Sequence, residues 1–187
     1  MLIKWVLFVS ILLWGTGAYS KEVAQNQWLE RINELRELGQ RQEGEKIRAR
    51  LLAWEKGLSS APCEAKVSWL LMAIHYDFNP ESEVEYYREL KGLISCAQDE
   101  DRYAVHTSIG AKYYDEGVFD SAFYSLTDAF VVASNSEDTN RMVMSLSNLA
   151  ALYSEMNWKV EALSTALRAY SLAHGALGIS ELTNLFL

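Results

Sequence analysis

The sequence predicts an all-α protein, a right-handed α-solenoid of about four stacked antiparallel helix hairpins that follows a signal peptide. Apolar residues recur at helical spacing, and no alternating strand pattern is present. A short pattern also occurs twice, forty residues apart: Ile109–Tyr113 returns as Leu149–Tyr153, and Ala122–Ala129 returns as Ala162–Ala169. A fixed period of this length is typical of stacked helical hairpins, each too small to bury its own apolar face.

Residues 1–20 have the pattern of a signal peptide. Lys4 precedes an apolar run from Trp5 to Trp14, and the small residues around Ala18 and Ser20 suit cleavage after Ser20. The run is shorter than the ~20 residues that a bilayer-spanning helix needs. We therefore expect a periplasmic or secreted protein, with membrane attachment only if the chain is part of a longer anchored one.

Residues 21–60 are predicted to form the first, degenerate hairpin, with helices at about 25–38 and 45–56. Each helix carries an apolar stripe that faces the other. The two stripes are Leu29, Ile32, Leu35 and Leu38 on the first helix, and Ile47, Leu51 and Trp54 on the second.

Residues 61–98 are predicted to form a second degenerate hairpin, with helices at about 64–76 and 81–95. Asn79 is expected to cap the second helix, with Pro80 at its first position. Cys63 and Cys96 lie at the two ends that a helical hairpin brings together, which favours a structural disulfide in an exported protein. Two unrelated buried thiols are the alternative.

The repeated pattern lies in a third hairpin, residues 99–140, and a fourth, residues 141–179. Their helices are predicted at about 102–114, 121–133, 141–155 and 160–173. Gly117 and Asn157, forty residues apart at the turns, are residue types that readily adopt the left-handed conformation closing a helix. Residues 180–187 are interpreted as the start of an incomplete further repeat or as an apolar docking tail.

The third and fourth hairpins resemble the tetratricopeptide repeat family, and their period is similar to that of MalT-like regions. The small residues Gly110 and Ala122 and the large Tyr113 stand where the family has them, and His106 replaces the large residue that usually opens the motif. The resemblance implies that the first helix of each hairpin lines a concave groove that binds a peptide or protein. It also implies that these small residues let neighbouring helices cross closely.

No catalytic pattern, phosphate-binding loop or metal-ligand spacing is found, so we expect neither an enzyme nor a cofactor or metal site. The net charge of −8 argues against nucleic acid as a partner. His106 is interpreted as a core or half-buried histidine.

The expected groove residues are small and polar, with an acidic rim and no Lys or Arg, which favours an uncharged or basic peptide over a carboxylate clamp. Close helix packing is the alternative role for these small residues. The candidates are Thr107, Ser108, Ala111, Tyr114 and Asp115 in the third hairpin, and Ser147, Asn148, Ala151, Ser154 and Glu155 in the fourth.

Three functions remain open at this stage. The first is a non-enzymatic exported module that binds a peptide or protein partner. The second is the extracytoplasmic sensory region of a bacterial signalling protein, such as a diguanylate cyclase or sensor kinase with tetratricopeptide repeats. The third is a structural oligomer that associates through the apolar Leu185–Leu187.

Overall fold

A computed structural model describes residues 25–175, and every regular element within that range is a helix. The described chain divides into two compact units, with the boundary between residues 86 and 87. The predicted signal peptide (1–20) and the last predicted segment (180–187) lie outside the described residues. The prediction of an all-α protein is confirmed for the part of the chain that is described.

Eight α-helices are present in residues 25–175. Short 3₁₀ turns at Leu58–Ser60, Pro80–Ser82 and Ile94–Cys96 flank α3 and α4. The helices are α1 (25–40), α2 (Gly44–Glu55), α3 (Cys63–His75), α4 (Glu83–Gly92), α5 (Asp99–Asp115), α6 (Phe119–Asn135), α7 (Thr139–Glu155) and α8 (Lys159–Ala173).

The fourth helix is shorter than expected, because the predicted span 81–95 consists of α4 with a 3₁₀ turn at each end. Pro80 occupies the first position of the leading turn, as predicted. Asn79 precedes it but makes no side-chain cap; its amide Nδ2 instead donates to Ser82 Oγ at 3.0 Å.

The core of the first unit centres on Trp69, which is 1% exposed. Its indole Nε1 donates to the Leu51 carbonyl at 3.4 Å, and its ring meets Phe78 and Tyr86 edge-on at 5.6 and 5.7 Å. Ile47 joins this core, being fully buried on α2. The predicted stripe on α2 is therefore confirmed at Ile47 and Leu51.

The predicted stripe on α1 is wrong at its first position. Leu29 is 53% exposed, whereas Trp28 beside it is 5% exposed. Trp28, Ile32 and Leu35 follow the i, i+4, i+7 spacing of one helical face, and all three are buried. The larger apolar ring of Trp28 takes the inward position, and Leu29 is displaced to the surface.

In the second unit, α5 and α6 form an antiparallel pair. Tyr114 and Phe119 meet next to the connecting turn, with ring centroids 6.1 Å apart. Farther from that turn, His106 Nδ1 lies 3.8 Å from Asp128 Oδ2. The contact nearer the start of α5 thus involves a residue farther along α6, so the two helices run in opposite directions.

Gly110 lies at the closest approach of α5 to α6. A Cβ atom placed on Gly110 would lie 2.7 Å from Leu126 Cδ2 and 3.3 Å from the Leu126 backbone nitrogen. These separations leave no room for a methyl group, so glycine lets Leu126 fill the space between the helices. The close crossing that the repeat resemblance implied at Gly110 is therefore present.

Helix α7 packs against both α6 and α8. On the α6 side, Phe123 and Tyr153 have ring centroids 6.0 Å apart, while Met142 packs with Ala129 and Ala133. Tyr113 and Tyr153 are both half-buried and pack against a core that includes Leu149 and Leu152. The two tyrosines therefore fill space between helices, as expected.

Left-handed turns with the same closing hydrogen bond end several helices of residues 25–175, at Gln42 and Glu137 and also at three positions that lie forty residues apart. Gly117 and Asn157 have φ angles of +72° and +60°, which confirms the predicted left-handed residues. Asp77, forty residues before Gly117, has φ +48° and was not anticipated. After each of the three, the next backbone N–H closes the helix by bonding a carbonyl five residues back, at 2.9 Å for Phe78, 2.9 Å for Val118 and 2.8 Å for Trp158.

Both cysteines of the chain, Cys63 and Cys96, are disulfide-bonded. The predicted pairing is thus confirmed, and the alternative of two separate thiols is set aside. A disulfide is compatible with an oxidising compartment outside the cytoplasm.

Candidate partner-binding face

The ten candidate groove residues occupy two helices of the second unit. Five lie on α5, from Thr107 to Asp115, and five lie on α7, from Ser147 to Glu155. Each set occupies the C-terminal half of its helix, where the helix approaches one of the left-handed turns. Their positions depend on how α5 and α7 are held together.

At its C-terminal end, α5 is joined to α7 by Tyr114 and Glu155. The Tyr114 hydroxyl donates a hydrogen bond to the Glu155 carboxylate. Burial raises the pKa of Tyr114 above its ordinary 10.0, and the negative charge of Glu155 raises it further. The phenol is therefore a protonated donor at neutral pH, and two of the predicted residues are in direct contact.

At the N-terminal end, α5 and α7 are joined by Tyr103 and Arg141. The Tyr103 hydroxyl lies 3.4 Å from the Arg141 carbonyl oxygen, and the Arg141 guanidinium stands 5.1 Å from the centre of the Tyr103 ring. Asp138 caps α7 by accepting from the Arg141 backbone N–H at 3.0 Å and also pairs with the Arg141 side chain at 3.3 Å. This junction was not predicted, because Tyr103 and Arg141 are 38 residues apart and no local sequence pattern brings them together.

Six of the ten candidates are exposed, and five of these six side chains are no larger than aspartate. Three more, Ser108, Tyr114 and Asn148, are half-buried. The exposed six are Ala111, Asp115, Ser147, Ala151, Ser154 and Glu155. The exposed candidates are therefore a set of mostly short side chains between the two junctions, and the larger Met144, 56% exposed, lies among them on α7.

Thr107 differs from the rest of the set. Its hydroxyl oxygen is buried and has no hydrogen-bond partner among the described residues. Ser147, forty residues later, is exposed, and its hydroxyl donates to the Val143 carbonyl at 2.9 Å. The Thr107 hydroxyl is therefore enclosed by protein atoms, while the matching position on α7 is open to solvent.

The acidic character of the set comes from Asp115 and Glu155, both exposed at the C-terminal ends of their helices. Glu116, next to Asp115, lies 3.9 Å from Lys112 Nζ. Lys112 Nζ also stands 5.5 Å from the centre of the Tyr87 ring, which holds this cation against α4. The carboxylates of Asp115, Glu116 and Glu155 outnumber the Lys112 cation here, so the end of the face near the turns is acidic.

His106 lies beside this face and is half-buried, as expected. Burial lowers its pKa, and this effect exceeds the opposing influence of the Asp128 carboxylate. Within residues 25–175, no group of His, Cys, Asp and Glu side chains could hold a metal ion. Within the same range, no helix combines the length and the apolarity needed to cross a bilayer.

Comparison of the chain with protein-family models, with curated proteins and with solved structures gives no match.

Proposed function

We propose that this protein is a non-enzymatic, exported module of the tetratricopeptide type, which binds an extended segment of a protein partner along the face formed by α5 and α7. The observation that carries the proposal is the pair of junctions, Tyr103 with Arg141 and Tyr114 with Glu155. They hold two helices side by side while the exposed side chains between them stay short. Short side chains, with the apolar Met144 exposed among them on α7, favour a ligand that lies flat along this face.

The recurrence of left-handed turns at Asp77, Gly117 and Asn157 supports a repeat architecture that begins before the third hairpin. Under this proposal the hairpins stack as a right-handed solenoid in which the first helix of each hairpin lines the inner surface. α5 and α7 are then the first helices of consecutive repeats.

The proposed ligand is an uncharged or basic peptide segment. Asn148 is half-buried on α7 and offers an amide donor and an acceptor to a peptide backbone. Asp115 and Glu155 supply negative charge near the turns, and none of the ten candidates is Lys or Arg. An acidic segment or a free C-terminal carboxylate would meet repulsion from these two carboxylates, since the nearby Lys112 already faces Glu116.

Export is proposed from residues 1–20 together with the disulfide. A bond between Cys63 and Cys96 persists in an oxidising compartment, where a small exported domain gains stability from it. The partner is therefore sought among periplasmic or secreted proteins.

The test uses the tagged full chain to recover partners from a periplasmic extract, followed by mass spectrometry. We expect Tyr114→Ala combined with Asn148→Ala to reduce recovery of specific partners by about tenfold, because both side chains flank the proposed ligand path. Tyr124→Ala combined with Ser164→Ala is the matched control, since both residues are exposed on α6 and α8. Unchanged recovery in the first variant, with circular dichroism showing intact helices, would exclude those residues from binding.

A further inference from the structure

The last described helix carries an apolar stripe that no described residue covers. Val160, Leu163, Leu167 and Tyr170 are 77, 63, 38 and 49% exposed. Their i, i+3, i+7, i+10 spacing places them on one face of α8. A row of four large apolar side chains in water is unfavourable, and such a patch marks a surface that another element covers.

The other apolar stripe of α8 is made of alanines and is a separate feature. Ala162, Ala166, Ala169 and Ala173 recur at helical spacing; Ala169 is buried and Ala162 half-buried, whereas Ala166 and Ala173 are exposed. Their counterparts forty residues earlier in α6, among them Ala122 and Ala129, are buried in the core. At Ala162 and Ala169 the alanine stripe thus matches the face that α6 turns toward the interior.

Two of the four α6 positions that match the exposed stripe, Phe123 and Phe130, pack against α7, whereas Asp120, which matches Val160, is exposed. Phe123 corresponds to Leu163, and its ring lies 6.0 Å from that of Tyr153 in α7. Phe130 corresponds to Tyr170 and packs against the cluster that contains Leu149 and Leu152 of α7. The equivalent face of α8 is therefore shaped to receive a following segment in the place that α7 takes on α6.

The turn at the end of α8 resembles the turn that leads from α6 into α7. Glu137, two residues after the end of α6, has φ +54°, and Gly175, two residues after the end of α8, has φ +66°. After Glu137 the chain reverses and α7 begins at Thr139. Gly175 therefore has the backbone conformation that is found where the chain reverses after α6.

The twelve residues that follow Gly175 have the composition of a matching surface. Ile179, Leu182 and Phe186 are spaced i, i+3, i+7, and Glu181 is the one charged side chain in the segment. We propose that residues 176–187 of this chain cover the apolar stripe of α8. The surface belongs to α8 itself and is independent of the partner-binding face on α5 and α7.

The test is a double-mutant cycle on the full chain, with unfolding by urea as the readout. Leu167→Ala and Leu182→Ala are measured singly and together. If the two effects were additive, the unfolding equilibrium constant of the double variant would rise by the product of the two single increases. We expect it to be about three- to tenfold smaller than that product, because the two side chains share one contact. Leu182→Ala combined with Leu52→Ala is the matched control, since Leu52 is 63% exposed on α2, and we expect additivity there.

Additive effects of Leu167→Ala and Leu182→Ala would overturn the proposal. A second measurement separates an intramolecular cover from a second copy of the chain: the urea midpoint is recorded over a hundredfold range of protein concentration. We expect a constant midpoint and a monomeric mass by light scattering. A midpoint that rises with concentration, together with a dimeric mass that Leu163→Ser abolishes, would assign the stripe to a second copy and contradict the proposal.

Discussion

The Tyr114 hydroxyl in α5 donates a hydrogen bond to the Glu155 carboxylate in α7, and this contact joins the C-terminal ends of the two helices that form the proposed binding face. It also provides a spectroscopic handle, because ionisation of the phenol is visible in the ultraviolet.

Glu155→Gln is expected to lower the pKa of Tyr114 toward its ordinary 10.0, since the substitution removes the negative charge that opposes ionisation. Because the folded-state pKa is raised, the contribution of Tyr114 to stability is present below pH 10 and is lost as pH rises through the folded-state value. The measurement is tyrosinate absorbance between pH 8 and 13, with the titration of a Tyr114→Phe background subtracted. Glu116→Gln is the control, and an equal shift in that variant would contradict the assignment.

Gly110→Ala is expected to destabilise the protein by about 1–2 kcal/mol. Crowding against Leu126 costs about 1–3 kcal/mol, and the higher helix propensity of alanine offsets up to about 1 kcal/mol of it. Adding Leu126→Ala should make the Gly110→Ala step neutral or favourable, because the second copy of the repeat has alanine at both matching positions, Ala150 and Ala166. Urea unfolding measures each step.

The control for this substitution is Gly92→Ala. Gly92 ends α4, and a Cβ atom there would have no neighbour within 4 Å. We therefore expect Gly92→Ala to be neutral or slightly stabilising. Equal losses at Gly110 and Gly92 would show that the close crossing of α5 and α6 does not determine the effect.

Asp77→Gly is expected to stabilise the protein, because glycine adopts a positive φ angle without the cost of about 1–2 kcal/mol that a side chain carries. Gly117→Ala is expected to destabilise it by about 1 kcal/mol for the converse reason. Thermal unfolding of both variants checks the signs. A loss of stability in Asp77→Gly would contradict the equivalence of the turns at Asp77 and Gly117.

His106→Leu is expected to flatten the dependence of stability on pH between about pH 7 and 5. Burial holds the pKa of His106 in the folded protein below its ordinary 6.5, so the unfolded chain binds more protons as pH falls through this range. The native protein therefore loses stability on acidification. The variant loses less; its leucine is the residue that the second copy of the repeat has at the matching position, Leu146. Urea unfolding at several pH values tests this, and an equally steep loss of stability on acidification in His106→Leu would contradict it.

Much of the fold can be predicted from the sequence because helix periodicity and turn residues are local signals. Gly117 and Asn157 could be assigned to left-handed turns, since glycine and asparagine favour that conformation. Asp77 adopts the same conformation but was missed, because aspartate is less diagnostic and only the forty-residue spacing points to it.

Contacts between distant residues were harder to predict. The exposure of Leu29 depends on the neighbouring Trp28 taking the inward position, and a stripe of leucines does not reveal that competition. Tyr103 meets Arg141 because α5 lies beside α7, and no local pattern encodes this. Thr107 was expected in the groove by its place in the repeat, whereas burial of its hydroxyl depends on the surrounding side chains.

The most direct test of the proposed binding face is selection of peptides from an unbiased display library on the full chain, with sequencing before and after selection. The account predicts enrichment of uncharged and basic peptides. This enrichment should disappear in Ala151→Arg, which places a long cation on the face, and persist in Ser164→Arg, which places the same cation on α8. Enrichment of acidic peptides by the native chain, or undiminished enrichment by Ala151→Arg, would contradict it.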